Sequence, residues 1–119
     1  MSECTDLVVL LQAFFSGDDP SLKKVQANAI YQAMVTQGFF EKGAWGLLGM
    51  DGCHLCETVQ GVYMLLSQRF DVPKLALVEL LDLPMGAMNE LAVRIPVLVT
   101  PDALLVYPFG LMDMQGLVA

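Results

Sequence analysis

Basic residues are scarce in this chain. Six Lys and Arg stand against thirteen Asp and Glu, giving a net charge of −7 over 119 residues. An acidic surface repels polyanions, which argues against nucleic acid and anionic membranes as partners. Charged residues of either sign make up only 16%, whereas apolar residues reach 55%. That balance excludes a disordered, solvated segment and gives a chain long enough for one domain with a real core. Long hydrophobic runs are also missing. The longest near the start covers residues 7–15 and is broken by Gln12, well short of the roughly 20 residues a membrane helix needs. Glu3 and Asp6 stand where an export signal would be basic, so no signal peptide is expected and the cytoplasm is the expected compartment. Metal-ligating residues are few: one His and three Cys. Structural zinc usually takes four ligands arranged as two close pairs; His54 directly follows Cys53 and Cys4 is remote, so no metal site is expected. Repeats and low-complexity segments are absent.

What is present divides in two. Residues 1–42 read as a helical extension. A first helix over residues 5–15 ends at Ser16-Gly17, although its run of aliphatics would also suit a strand. Asp19-Pro20 opens a second helix, an N-cap acceptor followed by proline in the first turn. It runs to about Gln37 with Leu22, Val25, Ala29 and Ala33 expected on one face, and Gly38 is a natural stop. From residue 43 to 119 the pattern changes. A buried strand is expected over residues 44–50, then an amphipathic helix over 53–70 with Leu55, Val59, Val62, Leu66 and Phe70 as its stripe. A second strand follows over 75–81, a short helix over 85–93, and strands over 95–99 and 104–107 joined by a tight Pro101-Asp102 turn. One or two helical turns close the chain. The order is β-α-β-α-β-β. Its first βαβ must be parallel and right-handed, and its last two strands form an antiparallel hairpin. The expected fold class is therefore α/β, a four-stranded mixed sheet flanked by helices with an N-terminal helical extension.

The chemistry is concentrated in "DGCHLCE", residues 51–57. The motif falls where the first strand hands over to its helix, the end of an open α/β sheet at which reactive groups gather. Cys53 would sit at a helix N-terminus, where unpaired N–H groups and the helix dipole favour a thiolate. Cys56 lies one turn further in, close enough for a disulfide and expected to be less exposed. Distinct roles follow: Cys53 attacks a disulfide and Cys56 resolves the mixed disulfide. His54, when protonated, would add positive charge beside the thiols. Cys4 reads as a bystander. Pro96 opens an apolar strand, where it cannot donate to the ladder. In a chain of this order with a C-x-x-C pair, a cis Ile95–Pro96 bond facing the thiols is expected.

"GCHLCE", "RIPVL" and "YPF", in that order, resemble the bacterial glutaredoxin-like family of small thioredoxin-fold proteins. The resemblance covers about residues 44–112. It implies a thioredoxin/glutaredoxin-like fold, a thiol–disulfide active site at Cys53 and Cys56, and a cis Pro96 opposite them. Arg94, Ile95 and Tyr107 fall on the family's arginine–apolar–proline and aromatic-Pro-Phe motifs and become candidate substrate-binding residues. Three features depart from glutaredoxins proper. Met50 stands where a glutathione-binding lysine is usual, Tyr107-Pro108-Phe109-Gly110 replaces a glycine-rich segment, and little chain remains for a last helix. Glutathione is thus a doubtful cofactor, with Arg94 the main counter-argument, since it could hold a carboxylate. The expected partners are a disulfide-containing protein or small-molecule substrate and a dithiol protein reductant. The apolar surface leaves self-association open, and Met34 is an alternative start.

Three function classes fit these residues: a thiol–disulfide oxidoreductase, a metal or iron–sulfur carrier on the same fold, and a non-catalytic interaction module. An iron–sulfur cluster needs four thiolates, hence a dimer or an added thiol. The intact C-x-x-C favours the first class.

Overall fold

The computed structural model describes the backbone of residues 3–118 and the side chains of residues 7–118. Two helices come first, α1 (Glu3–Ser16) and α2 (Pro20–Thr36), followed by strand β1 (Trp45–Gly49), helix α3 (His54–Ser67) and strand β2 (Leu75–Glu79). A 3₁₀ turn at Leu80–Asp82 leads to α4 (Met85–Leu91), then β3 (Val97–Val99), β4 (Leu104–Val106) and α5 (Leu111–Gln115).

The strands form one mixed sheet in the order β2-β1-β3-β4. β1 and β2 are parallel, and β3 runs antiparallel to both β1 and β4. The register pairs Leu47 with Leu77 and with Leu98, and Leu98 with Leu105. Side chains alternate across a pleated sheet, so these leucines share one face. Leu48, Val78, Val97 and Val106 share the other. The chain is thus α/β, with a four-stranded mixed sheet flanked by helices on both faces.

Each face has its own core. On one side, Leu48, Val78, Val97 and Val99 pack with Leu7, Leu11 and Phe14 of α1, Ile30, Tyr31 and Met34 of α2, and Ala87 and Leu91 of α4. On the other, Trp45, Leu47 and Leu98 pack with Val59 and Leu66 of α3 and Met114 of α5. The N-terminal helices therefore share a core with the sheet. A chain beginning at Met34 would lack α1 and most of α2, and with them much of the first face.

Local chemistry sets the ends of the elements. The Asp19 carboxylate accepts from the Ser21 N–H at 3.0 Å and from its hydroxyl at 2.7 Å, capping α2 with Pro20 in the first turn as expected. Gly38, at φ 86°, ends it in the left-handed conformation that glycine adopts without steric cost. The Tyr31 hydroxyl donates to the Ala44 carbonyl at 2.7 Å and accepts from the Gly43 N–H at 2.8 Å, tying α2 to the entrance of β1. Gly86 lets α4 approach α1, since a Cβ there would lie 2.8 Å from Val8 Cγ2.

Several expectations need correction. The buried face of α2 is Ala27, Ile30, Tyr31 and Met34, while Leu22 and Val25 are 51% and 67% exposed. Both sets have helical spacing, but Ile, Tyr and Met carry more apolar surface than the alanines of the expected stripe, so the helix turns them inward. In α3, Leu55 is exposed and Cys56 takes the inward position above Val59. α3 stops at Ser67, β2 gives way to the 3₁₀ turn at Leu80, α4 stops at Leu91, and β3 begins at Val97. The Cys4 side chain lies outside the described residues.

Candidate active site

β1 delivers the chain to the site. After Gly49 it turns, closed by the Cys53 N–H donating to the Met50 carbonyl at 3.2 Å, with Gly52 at φ 79°. That φ suits glycine in a tight turn, and the turn sets Cys53 as the N-cap of α3. The cysteines are disulfide-bonded, with Cα atoms 5.2 Å apart, inside the range a disulfide spans.

The two sulfurs have different surroundings. Cys53 Sγ accepts from the Cys56 backbone N–H at 3.1 Å, doing what an N-cap oxygen does in an ordinary helix. It is partly exposed at the mouth of the turn, whereas Cys56 is only 6% exposed. Cys56 Sγ lies against the backbone of Gly49, where a built Cβ would stand 2.5 Å from the sulfur. Gly49 is therefore part of the site, one that sequence reasoning missed. Its signal was a glycine at the end of an apolar strand four residues before the first cysteine, a place where close backbone approach calls for a residue without Cβ.

The remaining expected residues divide by position. Pro96 is one step beyond the Leu48–Val97 pair, level with Gly49 on the neighbouring strand, and its carbonyl accepts from the Tyr107 N–H at 3.2 Å. Gly49, Pro96 and Tyr107 thus stand side by side at the end of the sheet that carries the cysteines. The Ile95–Pro96 bond is cis, as expected, and so is Tyr107–Pro108. His54 extends into solvent, its side chain 97% exposed, with Nδ1 3.9 Å from a Glu57 carboxylate oxygen that is itself exposed. Arg94 turns toward the first core. It pairs with Glu90 at 3.8 Å, donates to the Glu90 carbonyl and stacks over the Phe15 ring at 4.0 Å. Ile95 packs against that same core, while Tyr107 packs against the second, its ring beside Phe109.

A groove of about 460 Å³ opens beside the disulfide. Leu47, Leu77, Gln60 and three carboxylates, Asp51, Glu57 and Glu79, line it together with both cysteines. Glu79 pairs in register with Gly49 and so lies on the strand beside Cys56. Met50 is also on the groove wall.

Comparison with protein-family profiles, with curated proteins and with solved structures finds no match for this chain. The site's own geometry carries the functional reading.

Proposed function

We propose that this protein is a thiol–disulfide oxidoreductase with a thioredoxin-like fold, related to the bacterial glutaredoxin-like proteins its motifs resemble. The observation that carries this reading is the Cys56 N–H donating to Cys53 Sγ at the N-cap of a fourteen-residue helix. A hydrogen bond and the positive end of a helix dipole both favour a sulfur anion over a neutral thiol. Reactivity of a cysteine depends on that anion and on access, and of the pair Cys53 is the more exposed.

In the reduced protein the Cys53 thiolate attacks one sulfur of a substrate disulfide. The substrate S–S bond breaks, one substrate thiolate leaves and takes a proton, and a mixed disulfide forms at Cys53. The Cys56 thiolate then attacks Cys53 Sγ, forming the intramolecular bond and expelling the second substrate thiolate, which is protonated in turn. Two electrons and two protons pass from the cysteine pair to the substrate. A dithiol protein reductant restores the pair by the same exchange in reverse. Pro96 and Tyr107 stand level with Gly49, at the same end of the sheet as the cysteine pair. His54, exposed beside Cys53 and facing the Glu57 carboxylate at 3.9 Å, adds positive charge when protonated.

The test is reduction of insulin and of a small neutral disulfide by the pre-reduced protein, with thiol trapping. Cys53→Ser should abolish turnover, and Cys56→Ser should accumulate a mixed disulfide at Cys53. At neutral pH Cys53 should alkylate faster than an ordinary thiol with a pKa of about 8.5. Equal, slow alkylation of both cysteines together with no reduction of either substrate would overturn the proposal.

A further inference from the structure

The groove beside the disulfide has one sign of charge. Its carboxylates, Asp51, Glu57 and Glu79, come from the turn before Cys53, the first turn of α3 and the end of β2, and no Lys or Arg lines it. The nearest described partner of any of the three is His54, which meets Glu57 at 3.9 Å in full solvent. Three of the chain's six cations are engaged or distant. Arg94 is held by Glu90 and Phe15, Lys23 donates to the Phe14 carbonyl and lies over the Phe14 ring, and Lys74 precedes β2 at the end of the sheet away from the cysteines. The groove is also open along one side. β2 is the outer strand of the sheet, and among the described residues no strand lies beyond it. Leu77, in the middle of β2 on the groove wall, is 63% exposed.

We propose that this groove receives an extended polypeptide segment carrying Lys or Arg next to its disulfide-bonded cysteine. The inference rests on the disulfide-exchange reading and adds the class of substrate. Three convergent carboxylates favour a cation on the substrate and disfavour a tripeptide with two carboxylates such as glutathione. The unpaired edge of β2 offers main-chain hydrogen bonds to an extended chain, and Leu77 offers it an apolar contact. A basic residue seated among the carboxylates would hold the neighbouring substrate disulfide at Cys53 on the same wall.

The experiment uses two peptides of one sequence, each with a disulfide to a small neutral thiol, flanked by Lys in one and by Glu in the other. The reduced protein should reduce the Lys peptide about tenfold faster at low ionic strength, and the ratio should shrink toward one at 1 M salt. The Asp51→Asn, Glu57→Gln, Glu79→Gln triple variant should lose that ratio. A Lys peptide with its cysteine replaced by alanine should bind the oxidised wild-type protein more tightly than its Glu counterpart. Equal rates and equal binding for the two peptides in the wild-type protein would overturn the groove proposal and leave disulfide exchange standing. Preferential binding of the Lys peptide without reduction of either disulfide would overturn disulfide exchange and leave the groove as a binding site for basic segments.

Discussion

The two faces of the sheet are built differently. The face under α1, α2 and α4 is thickly covered, with Leu7, Ile30, Leu91, Val97 and Val99 wholly buried. The face under α3 and α5 is thinner. Its center is Trp45, Leu47, Val59, Leu66, Leu98 and Met114, and around them Val62, Tyr63, Leu75, Leu105 and Tyr107 are only partly buried. The groove and the cysteines lie at the margin of this second face. A well-covered face resists opening, and a reactive disulfide must remain reachable. One side of the sheet supplies most of the apolar burial, and the other leaves Cys53 and the edge beside it open to solvent.

Three substitutions would break or sharpen that contrast. The largest effect on stability belongs to the first face. Leu11, buried between α1 and its neighbours, should cost about 2–5 kcal/mol when changed to Ala, since the lost methyl and methylene groups leave a cavity. Denaturant unfolding of the reduced variant measures it, and the folded fraction should keep its thiol reactivity. A loss of thiol reactivity larger than the loss of folded protein would show that the faces are not separable in this way.

Gly49→Ala acts where the faces meet the chemistry. The new Cβ would fall 2.5 Å from Cys56 Sγ, and neither the short cysteine side chain nor the strand can yield cheaply. The expected cost is about 1–3 kcal/mol, together with a changed disulfide reduction potential. Redox titration and urea unfolding of the oxidised and reduced forms separate the two effects. An unchanged potential would mean that the backbone of β1 does not hold the cysteine pair.

The smallest effect is at the Asp19 cap. The Ser21 hydroxyl, and then the Ser21 N–H, hold the Asp19 carboxyl below its ordinary value of 3.8. A carboxyl whose pKa is lower in the folded chain binds its proton more readily when unfolded, so its contribution is present above about pH 4 and fades as pH falls below it. Asp19→Ala should lower the melting temperature slightly at pH 7, with the difference from wild type narrowing toward pH 2. A difference independent of pH would show that the charge of the Asp19 carboxylate does not hold the cap.

Much of this organisation was legible in the residues. The strand-to-helix placement of "DGCHLCE", the Asp19-Pro20 start, the Gly38 stop and the β-α-β-α-β-β order all rest on local rules, namely capping, turn geometry and short-range periodicity. The cis Ile95–Pro96 bond was legible only through the combination of motif and order. The face of α2 was misread because two sets of apolar residues share the helical period. Which set turns inward depends on what the sheet presents to it. Leu55 was misread for a related reason: an apolar residue beside a cysteine pair was assigned to the core, yet the turn at Gly52 points Cys56 there instead.

By itself the sequence determined the order of the helices and strands, that two thiols meet one turn apart at a helix N-terminus, and that the chain is acidic. These follow from interactions among residues a few positions apart. Only the tertiary structure decided that Gly49 makes room for Cys56, that Arg94 faces Phe15 and Glu90, and that Asp51, Glu57 and Glu79 converge on one groove. Those facts depend on strand register and on which face each element buries, and contacts between distant residues cannot be read from local pattern.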